Sequence, residues 1–460
     1  MDGRQLMAYM SEHRSCDPSV YDGFVPRNGV DHLALASAAF LASDTQLASK
    51  MITIALDESD AFVHANWFIH DIALHLPLEL FENPALHPWF SLQKLFGLRA
   101  GGLPLQENAT FETAQALADA ILHSPFEARL CKERAFEEIC ENRLRPVSLD
   151  DAQTRNWLEA YLKKFGDEAP ASKSFFSACL RHHAGDRITA EAEFRTFEAF
   201  GTRSAHFTLG ARSYRATPCI KASTHKLKIA RVAPGKTTVF TCDPGYFSKW
   251  FPVLRKALTE APVDCSIHFH VIGSQDSLAD FRDQLDDRRI GLSFEDDPEL
   301  GSPYYASARF LAGPELLAAY GRPLLFSDID CTFSPEIGKF LEVLRGTSAA
   351  FFAKRSDNHC PWRTIVASLF YITPGGPGEA VLAQARDYLS SLIAEGVGFE
   401  RLWWCDQNAL GYGYEVTGVS ETSVSFFDLR QQHVPLPFTF APNDTRRKED
   451  FIKKLLTENI

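Results

Sequence analysis

Two aspartates, Asp328 and Asp330, follow an apolar run in the segment PLLFSDIDCTF. Side chains alternate along an extended chain, so both carboxylates would lie on one face at the end of a strand. Two carboxylates this close repel each other unless a divalent cation lies between them. Apolar residues that lead into paired acids would also be costly to bury without a partner for the charges. The segment therefore predicts a manganese or magnesium site at Asp328 and Asp330.

Two kinds of enzyme place an Asp-x-Asp pair after a strand. In phosphatases of the haloacid dehalogenase type, with the motif Asp-x-Asp-Gly-Thr, the first aspartate is the nucleophile, and residues 328–332 match four of the five positions. In nucleotide-sugar glycosyltransferases the pair holds a metal against the donor diphosphate. The phosphatase motif normally opens its domain, whereas three strands and three helices are predicted before Asp328, and no Asp-Asp pair follows Asp330. This order favours the transferase and leaves the phosphatase as an alternative.

The elements that must position the two aspartates begin near residue 237. Short β-branched runs predict strands at Thr237–Cys242, Ser266–Ile272, Ile290–Phe294 and Pro323–Ser327. Helical patterns lie between them, at Phe247–Ala261, Leu278–Arg288 and Ser307–Tyr320. This alternation predicts an α/β fold whose largely parallel sheet is covered on both faces and binds ligands at the carboxyl ends of its strands.

The first of these strands runs into the segment DPGY, which contains Asp243 and Tyr246. Asp243 is a candidate to accept a hydrogen bond from a planar base, and Tyr246 is a candidate to stack on it. The sequence Asp-Pro-Gly is also typical of a plain turn. Both interpretations stay open at this point.

Residues 1–220 show a different pattern, rich in Ala, Leu and Phe, with apolar residues three and four positions apart. This pattern predicts an all-α N-terminal domain, with helices that include Ser148–Lys164 and Thr189–Phe200. Small residues around Ile52 resemble the second helix of a tetratricopeptide-type repeat, although an ordinary helical bundle explains the spacing as well.

A change of character near residue 220 predicts the domain boundary. A basic stretch poor in apolar residues and a Pro-Gly turn at 234–235 separate the helical patterns from the strands. The second domain would cover residues 221–445. Residues 446–460 predict an exposed amphipathic C-terminal helix.

Composition limits the classes of protein to consider. The chain has 460 residues, which predicts two or three packed units. Its 47 Lys and Arg against 59 Asp and Glu give a formal net charge of -12, which disfavours nucleic acid as a partner. No secretory signal is recognisable, nor any apolar stretch of the roughly 18–20 residues of a membrane helix. Ten cysteines lie scattered without a Cys-x-x-Cys pair, so we expect a soluble, cytoplasmic protein with no integral membrane segment.

Four blocks, in order along residues 237–435, resemble the retaining glycosyltransferases of the glycogenin and lipopolysaccharide-galactosyltransferase type. The blocks are VFTCDPGYF, SARFLAGPELL, LLFSDIDCTF and WWCDQNALGYGY. The resemblance covers a little under half of the chain. It implies a nucleotide-diphosphosugar transferase (GT-A-like) fold with a mixed, mainly parallel sheet, preceded here by the all-α domain.

The resemblance also implies a function and a site. The function would be that of a metal-dependent hexosyltransferase that moves a sugar, with retention, from a nucleotide-sugar donor such as a UDP-sugar to a glycan or protein acceptor. The N-terminal helices would recruit the acceptor. By the same resemblance, the uracil is held by Asp243 and Tyr246, the donor is contacted by Arg309, manganese or magnesium is bound by Asp328 and Asp330, and the transferred sugar faces Asp406 and Gln407.

The chain departs from the family pattern in three places. The Asn-Ser/Ala-Gly segment expected before a buried strand falls on residues 366–368, so a sugar-binding amide and a glycine are missing. The third acid of Asp-Gln-Asp is replaced by Asn408. The late His-x-x-x-Gly-x-Lys-Pro-Trp block is not recognisable, and His433 is the candidate third metal ligand because it lies near the expected place. These losses leave a third possibility, a non-catalytic scaffold with a degenerate transferase domain.

Overall fold

The computed structural model describes residues 18–57, 108–123, 129–144, 149, 151–200, 205–217, 227–353, 359–396, 404–419, 424–428, 436–442 and 445–457. The chain divides into two compact units, Met1–Ser204 and Ala205–Ile460. This division lies upstream of the boundary expected near residue 220, because the helix Ala205–Ser213 belongs with the second unit. The Asn408 amide there donates hydrogen bonds to Gly210 O at 2.8 Å and to Ser213 Oγ at 2.7 Å.

The described part of the first unit is helical, as the sequence predicts. Its helices are α1 (Gly29–Leu41), α2 (Thr45–Asp57), α3 (Asn108–His123), α4 (Arg129–Leu144), α5 (Ala152–Phe165), α6 (Pro170–His183) and α7 (Arg187–Ala199). The predicted helices Ser148–Lys164 and Thr189–Phe200 correspond to α5 and α7. Asp151 and Asp186 cap them, each accepting a hydrogen bond from the backbone N–H three residues later. A repeat-like arrangement of these helices stays a prediction.

The second unit alternates strands and helices. Its strands are β1 (Lys228–Arg231), β2 (Lys236–Cys242), β3 (Cys265–Ile272), β4 (Ile290–Glu295), β5 (Leu324–Ser327), β6 (Cys331–Phe333), β7 (Ala349–Ala353), β8 (Ile365–Ile372), β9 (Val424–Asp428) and β10 (Phe438–Phe440). Its helices are α8 (Ala205–Ser213), α9 (Pro244–Glu260), α10 (Ser302–Leu311), α11 (Gly313–Tyr320), α12 (Ile337–Leu344), α13 (Pro377–Ala394), α14 (Cys405–Val416) and α15 (Thr445–Thr457).

Eight of these strands form one mixed sheet in the order β1-β4-β3-β2-β5-β8-β7-β9. Strands β4, β3, β2 and β5 pair in parallel, and β7 pairs in parallel with β9. Strand β8 is antiparallel to both of its neighbours, and β1 is antiparallel to β4. A separate two-stranded sheet joins β6 to β10. The predicted α/β class is therefore confirmed: a mixed, mainly parallel sheet with an all-α region before it.

Both faces of the sheet are covered by helices. Alternating side chains divide the core, so that Phe240 of β2 belongs to one apolar cluster and Val239 to the other. Helices α9, α12 and α15 supply the first cluster, which contains Trp250 and Leu455. Helices α10, α11, α13 and α14 supply the second. The helices cover the two faces of the sheet, so a ligand site is expected in the loops at the carboxyl ends of the parallel strands.

Three predicted elements differ in the structure. The helix predicted at Leu278–Arg288 is instead a 3₁₀ helix, Gln275–Gln284, in which only Leu278 is buried, so it lacks the broad apolar face of an α-helix. The helix predicted at Ser307–Tyr320 is split into α10 and α11, and Pro314 lies in the first turn of the second helix.

The C-terminal helix is the third difference. We expected residues 446–460 to be exposed, but α15 packs on α9. The ring of Phe451 lies 6.3 Å from that of Trp250, measured between centroids, and Leu455 is buried. The Lys256 ammonium also donates a hydrogen bond to Leu455 O at 2.9 Å. The apolar face of this helix is therefore covered by its own unit.

A network of buried polar side chains, connected by hydrogen bonds, crosses strands β3 and β4. His268 contacts Tyr320 Oη through Nδ1 at 2.7 Å and Ser293 Oγ through Nε2 at 2.8 Å. Ser293 Oγ also contacts His270 Nδ1 at 2.9 Å, and His270 Nε2 lies 3.3 Å from a Glu295 carboxylate oxygen. Burial, reinforced by His270, lowers the pKa of His268 to about 3, so His268 is neutral at physiological pH.

The structure also bears on two sequence expectations, those about membrane-spanning helices and about cysteines. None of the described helices combines the length and the apolar character that a membrane crossing requires. Seven cysteines are free, buried thiols: Cys140, Cys179, Cys242, Cys265, Cys331, Cys360 and Cys405.

Candidate active site

Asp328 and Asp330 lie at the carboxyl end of β5, as predicted, in the tight turn that leads to β6. The turn is fixed by backbone hydrogen bonds from Asp328 N to Ser368 O at 2.9 Å and from Cys331 N to Ile329 O at 2.8 Å. Strand β5 pairs with β2, so the turn lies at the same sheet edge as the end of β2. The position of the two carboxylates follows directly from this parallel pairing.

Arg309 of α10 connects the turn to α14. Its Nη1 donates to Asp328 Oδ1 at 2.5 Å, and its Nη2 donates to Asp406 Oδ2 at 3.2 Å. The Arg309 side chain is only 3% exposed, and within the described residues its Nε has no hydrogen-bond partner. Three residues that the sequence placed in the site, Arg309, Asp328 and Asp406, are thus brought together.

The electrostatics of this group show an excess of negative charge. The pKa of Asp328 is raised to about 6, chiefly by burial and also by the charges of Asp330 and Asp406, against the opposing charge and hydrogen bond of Arg309. Burial also raises the pKa of Asp406, again opposed by Arg309. An additional cation near these carboxylates would relieve the repulsion between them.

The donor set fits a divalent metal. Carboxylate oxygens are the ligands that magnesium and manganese prefer. Asp328 uses Oδ1 for Arg309 and Asp330 uses Oδ2 for Lys448, so in the described part of the chain the other oxygen of each carboxylate is not engaged. Asp328 Oδ2 and Asp330 Oδ1 are the atoms that would hold the ion.

Lys448 of α15 is a site residue that carried no recognisable sequence signal. Its Nζ lies 2.5 Å from Asp330 Oδ2, 3.4 Å from Tyr246 Oη and 5.7 Å from the centroid of the Tyr246 ring. Burial alone would lower the pKa of Lys448, but the hydrogen bond and charge of Asp330 outweigh burial and raise it. The sequence placed Lys448 on an amphipathic helix, but only the docking of that helix on α9 brings it to the site.

Asp243 and Tyr246 lie at the end of β2, where the sequence placed them. Asp243 is the N-cap of α9, and its Oδ1 accepts hydrogen bonds from Gly245 N at 2.7 Å and Tyr246 N at 3.0 Å. One carboxylate oxygen of Asp243, Oδ1, is therefore used to form the turn, as the turn interpretation of Asp-Pro-Gly predicts. Tyr246 is partly buried and contacts Lys448, which places it on the same side of the site as Asp330.

The start of α14 carries the residues assigned to the sugar. Trp404 precedes the helix in the left-handed conformation, with φ 71° and ψ 2°, which non-glycine residues seldom adopt. Asp406 accepts a hydrogen bond from Gln407 N at 2.9 Å and so faces Arg309 from the first turn. In the amide orientation that satisfies its neighbours, the Gln407 nitrogen donates to Trp362 O and Ile365 O, each at 3.2 Å.

The structure describes the surroundings of two segments that depart from the family pattern, Asn408 and residues 366–368. Asn408, in place of a third acid, is buried and bonded to α8, so an amide donor is required there. Residues 366–368 were expected before a buried strand but lie inside β8, where Ser368 O accepts the hydrogen bond from Asp328 N. His433 lies outside the described residues, so its role as third metal ligand stays a prediction.

No protein-family profile and no curated protein matches the chain. Among solved structures, the apo form of the glycosyltransferase GlyE of Streptococcus pneumoniae TIGR4 is 16% identical, with a TM-score of 0.29, over 42% of this chain and 45% of that chain. The apo bifunctional glycosyltransferase WbbM is 12% identical, with a TM-score of 0.31, over 60% of this chain and 52% of that chain. The chain therefore spans about half the length of these two proteins. Likeness at this level does not by itself establish a shared fold, so the fold assignment rests on the strand order and helix packing described above.

Proposed function

We propose that the chain is a metal-dependent glycosyltransferase that transfers a sugar, with retention, from a UDP-sugar to a glycan or protein acceptor. The observation that carries this proposal is the convergence of Asp328, Asp330, Arg309 and Asp406 at the carboxyl edge of a mainly parallel sheet. Ligands of such sheets bind at this edge. The base-binding candidates at the end of β2 lie at the same edge.

Each residue has a role that its contacts support. Asp243 keeps one carboxylate oxygen for the base while the other caps α9. Arg309 orients Asp328 and Asp406, and its guanidinium gives this edge of the sheet a positive charge that favours an anionic ligand. Asp406 faces the transferred sugar, and Gln407 holds the start of α14 against the β8 segment.

Asp328 Oδ2 and Asp330 Oδ1 would bind manganese or magnesium. When bound, such an ion stabilises the negative charge that develops on the leaving nucleoside diphosphate. The N-terminal helical unit recruits the acceptor.

The test is donor hydrolysis and UDP-sugar binding by the purified chain, with and without manganese. Asp328→Asn and Asp330→Asn should each lower metal-dependent hydrolysis by about 100-fold or more, the range seen when one charge-stabilising group is removed from an active site. Asp264→Asn is the matched control, because Asp264 pairs with Lys236 at 2.9 Å but lies at the start of β3, away from the site.

Three other outcomes would contradict the proposal. Unchanged metal-dependent binding in both site variants would remove the metal assignment. Hydrolysis of a generic phosphate ester that is lost in Asp328→Asn would instead support the phosphatase alternative, in which Asp328 is the nucleophile. Absence of any UDP-sugar binding and of any hydrolysis would support a scaffold.

A further inference from the structure

Lys448 lies between the two halves of the candidate donor site. Its ammonium contacts Asp330 on the metal side and Tyr246 on the base side, at 2.5 Å and 3.4 Å. The Lys448 side chain is 19% exposed, so it is partly screened from solvent. A cation in this position is within reach of any anionic group that links a base at Tyr246 to a metal at Asp330.

The helix that carries Lys448 is fixed at both ends, whereas the lysine side chain can move. Before α15, the backbone donates a hydrogen bond from Ala441 N to Asp330 O at 2.8 Å. Farther along the helix, Phe451 packs on Trp250 and Leu455 is buried. The lysine stem has four rotatable carbons, so its ammonium can change partners without movement of the helix.

The charges of the site explain why such a change matters. Three carboxylates, Asp328, Asp330 and Asp406, face two cations, Arg309 and Lys448, which leaves one net negative charge. A divalent ion that entered alone would have to compete with Lys448 for Asp330 and would leave the site positive. A diphosphate that entered alone would meet the three carboxylates. Each ligand therefore removes an obstacle to the other.

We propose that Lys448 couples metal binding to diphosphate binding. Through its contact with Asp330 it neutralises that carboxylate, and when a nucleoside diphosphate binds it turns to the phosphate oxygens and releases Asp330 to the metal. The two ligands then bind cooperatively, and by linkage each strengthens the other by the same factor. This inference rests on the proposed function, because it assumes that the site takes a metal and a diphosphate.

The experiment is calorimetric titration of the full chain with Mn²⁺ alone, with UDP alone, and with Mn²⁺ at saturating UDP. In the wild type, UDP should strengthen Mn²⁺ binding within the roughly 5–150-fold range typical of coupled sites. Lys448→Met should bind Mn²⁺ alone more tightly than the wild type, because Asp330 loses its competitor. The same variant should bind UDP more weakly and show a smaller coupling factor than the wild type, because only the direct attraction between the metal and the diphosphate remains.

Two controls separate the possible failures. Lys453→Met removes an exposed lysine of the same helix and should leave all three titrations unchanged. Asp330→Asn should lose Mn²⁺ binding at saturating UDP. If Asp330→Asn binds Mn²⁺ as the wild type does, the metal site of the proposed function is wrong. The proposed coupling by Lys448 is then overturned as well.

If Asp330→Asn loses Mn²⁺ binding but Lys448→Met matches the wild type in all three titrations, the coupling role of Lys448 alone is overturned. Weaker binding of Mn²⁺ alone by Lys448→Met would overturn it as well. A melting curve of each variant confirms that the fold is intact.

Discussion

At the scale of single residues, Arg309 holds the candidate site together. Its guanidinium donates from two nitrogens to carboxylates on two different segments, Asp328 and Asp406. The planar fork of arginine suits this bridging geometry, which the point charge of lysine does not reproduce. The position of both aspartates therefore depends on one side chain of α10.

We expect Arg309→Met to lower the free energy of unfolding by roughly 1–3 kcal/mol, because two partly buried carboxylates lose a charged donor. It should also weaken UDP binding by at least about tenfold, equivalent to about 1.4 kcal/mol. Urea unfolding and UDP titration measure the two effects. Arg386→Met is the control, because Arg386 also pairs with two carboxylates, those of Glu315 and Asp387, outside the site. An equal loss of UDP binding in both variants would contradict the role of Arg309.

Asn408 shows how a residue that departs from a family pattern can be required by its surroundings. Its buried amide donates to Gly210 O and Ser213 Oγ and so ties α14 to α8. We expect Asn408→Asp to cost roughly 1–3 kcal/mol of stability, because a carboxylate would face a carbonyl oxygen without a donor. Thermal and urea unfolding measure the change. Asn408→Ser, which keeps a hydroxyl donor, should lose less, and an Asn408→Asp variant as stable as the wild type would contradict this explanation.

At the scale of elements, α15 shows what a sequence pattern leaves undetermined. The charged and apolar residues of 446–460 predicted an amphipathic helix, and the structure has one at Thr445–Thr457. The partner of its apolar face was not predictable, because α9 lies almost two hundred residues earlier in the chain. The contact between Lys448 and Asp330 has the same origin, since 118 positions separate them. Such long-range contacts depend on the whole packed unit.

The network of buried polar side chains around His268 should make the stability of the fold depend on pH. The folded pKa of His268, about 3, lies below the ordinary value of 6.5, so the unfolded state binds more protons between these two values. The stability that neutral His268 contributes is complete above pH 6.5 and is lost as the pH falls through this window. The slope reaches at most about 1.4 kcal/mol per pH unit.

We therefore expect the free energy of unfolding to fall less steeply between pH 6.5 and pH 5 in His268→Asn than in the wild type. Urea unfolding at several pH values measures this slope. His123→Asn is the control, because His123 is exposed on α3 and should leave the slope unchanged. The same slope in His268→Asn and the wild type would contradict the assignment of the pH response to this histidine.

At the scale of the whole molecule, the sequence predicted those features that depend on local pattern. The β-branched runs predicted strands close to β2, β3, β4 and β5, because burial on both faces requires nearly continuous apolar residues. The Asp-x-Asp pair was placed correctly, because it directly follows one of these runs. The 3₁₀ helix after β3 was not predictable in this way, since spacing alone does not distinguish it from an α-helix.

The net charge of -12 can be compared with the charges within the candidate site. The three aspartates of the site are largely offset by Arg309 and Lys448, which leaves one net negative charge in the site. A diphosphate ligand is therefore compatible with an acidic protein. The cations that make it compatible come from α10, near the middle of the second unit's sequence, and from α15, in its last residues.

The most direct test of the central claim is a thermal-shift titration of the intact chain with UDP-sugars, with and without manganese. A ligand that binds only the folded state stabilises it by mass action, by about 2.7 kcal/mol at one hundred times its Kd. We predict that at least one UDP-sugar raises the Tm when manganese is present, and that Asp328→Asn abolishes the rise. A Tm that no UDP-sugar changes in the presence of manganese, or a rise that persists in Asp328→Asn, would contradict the account.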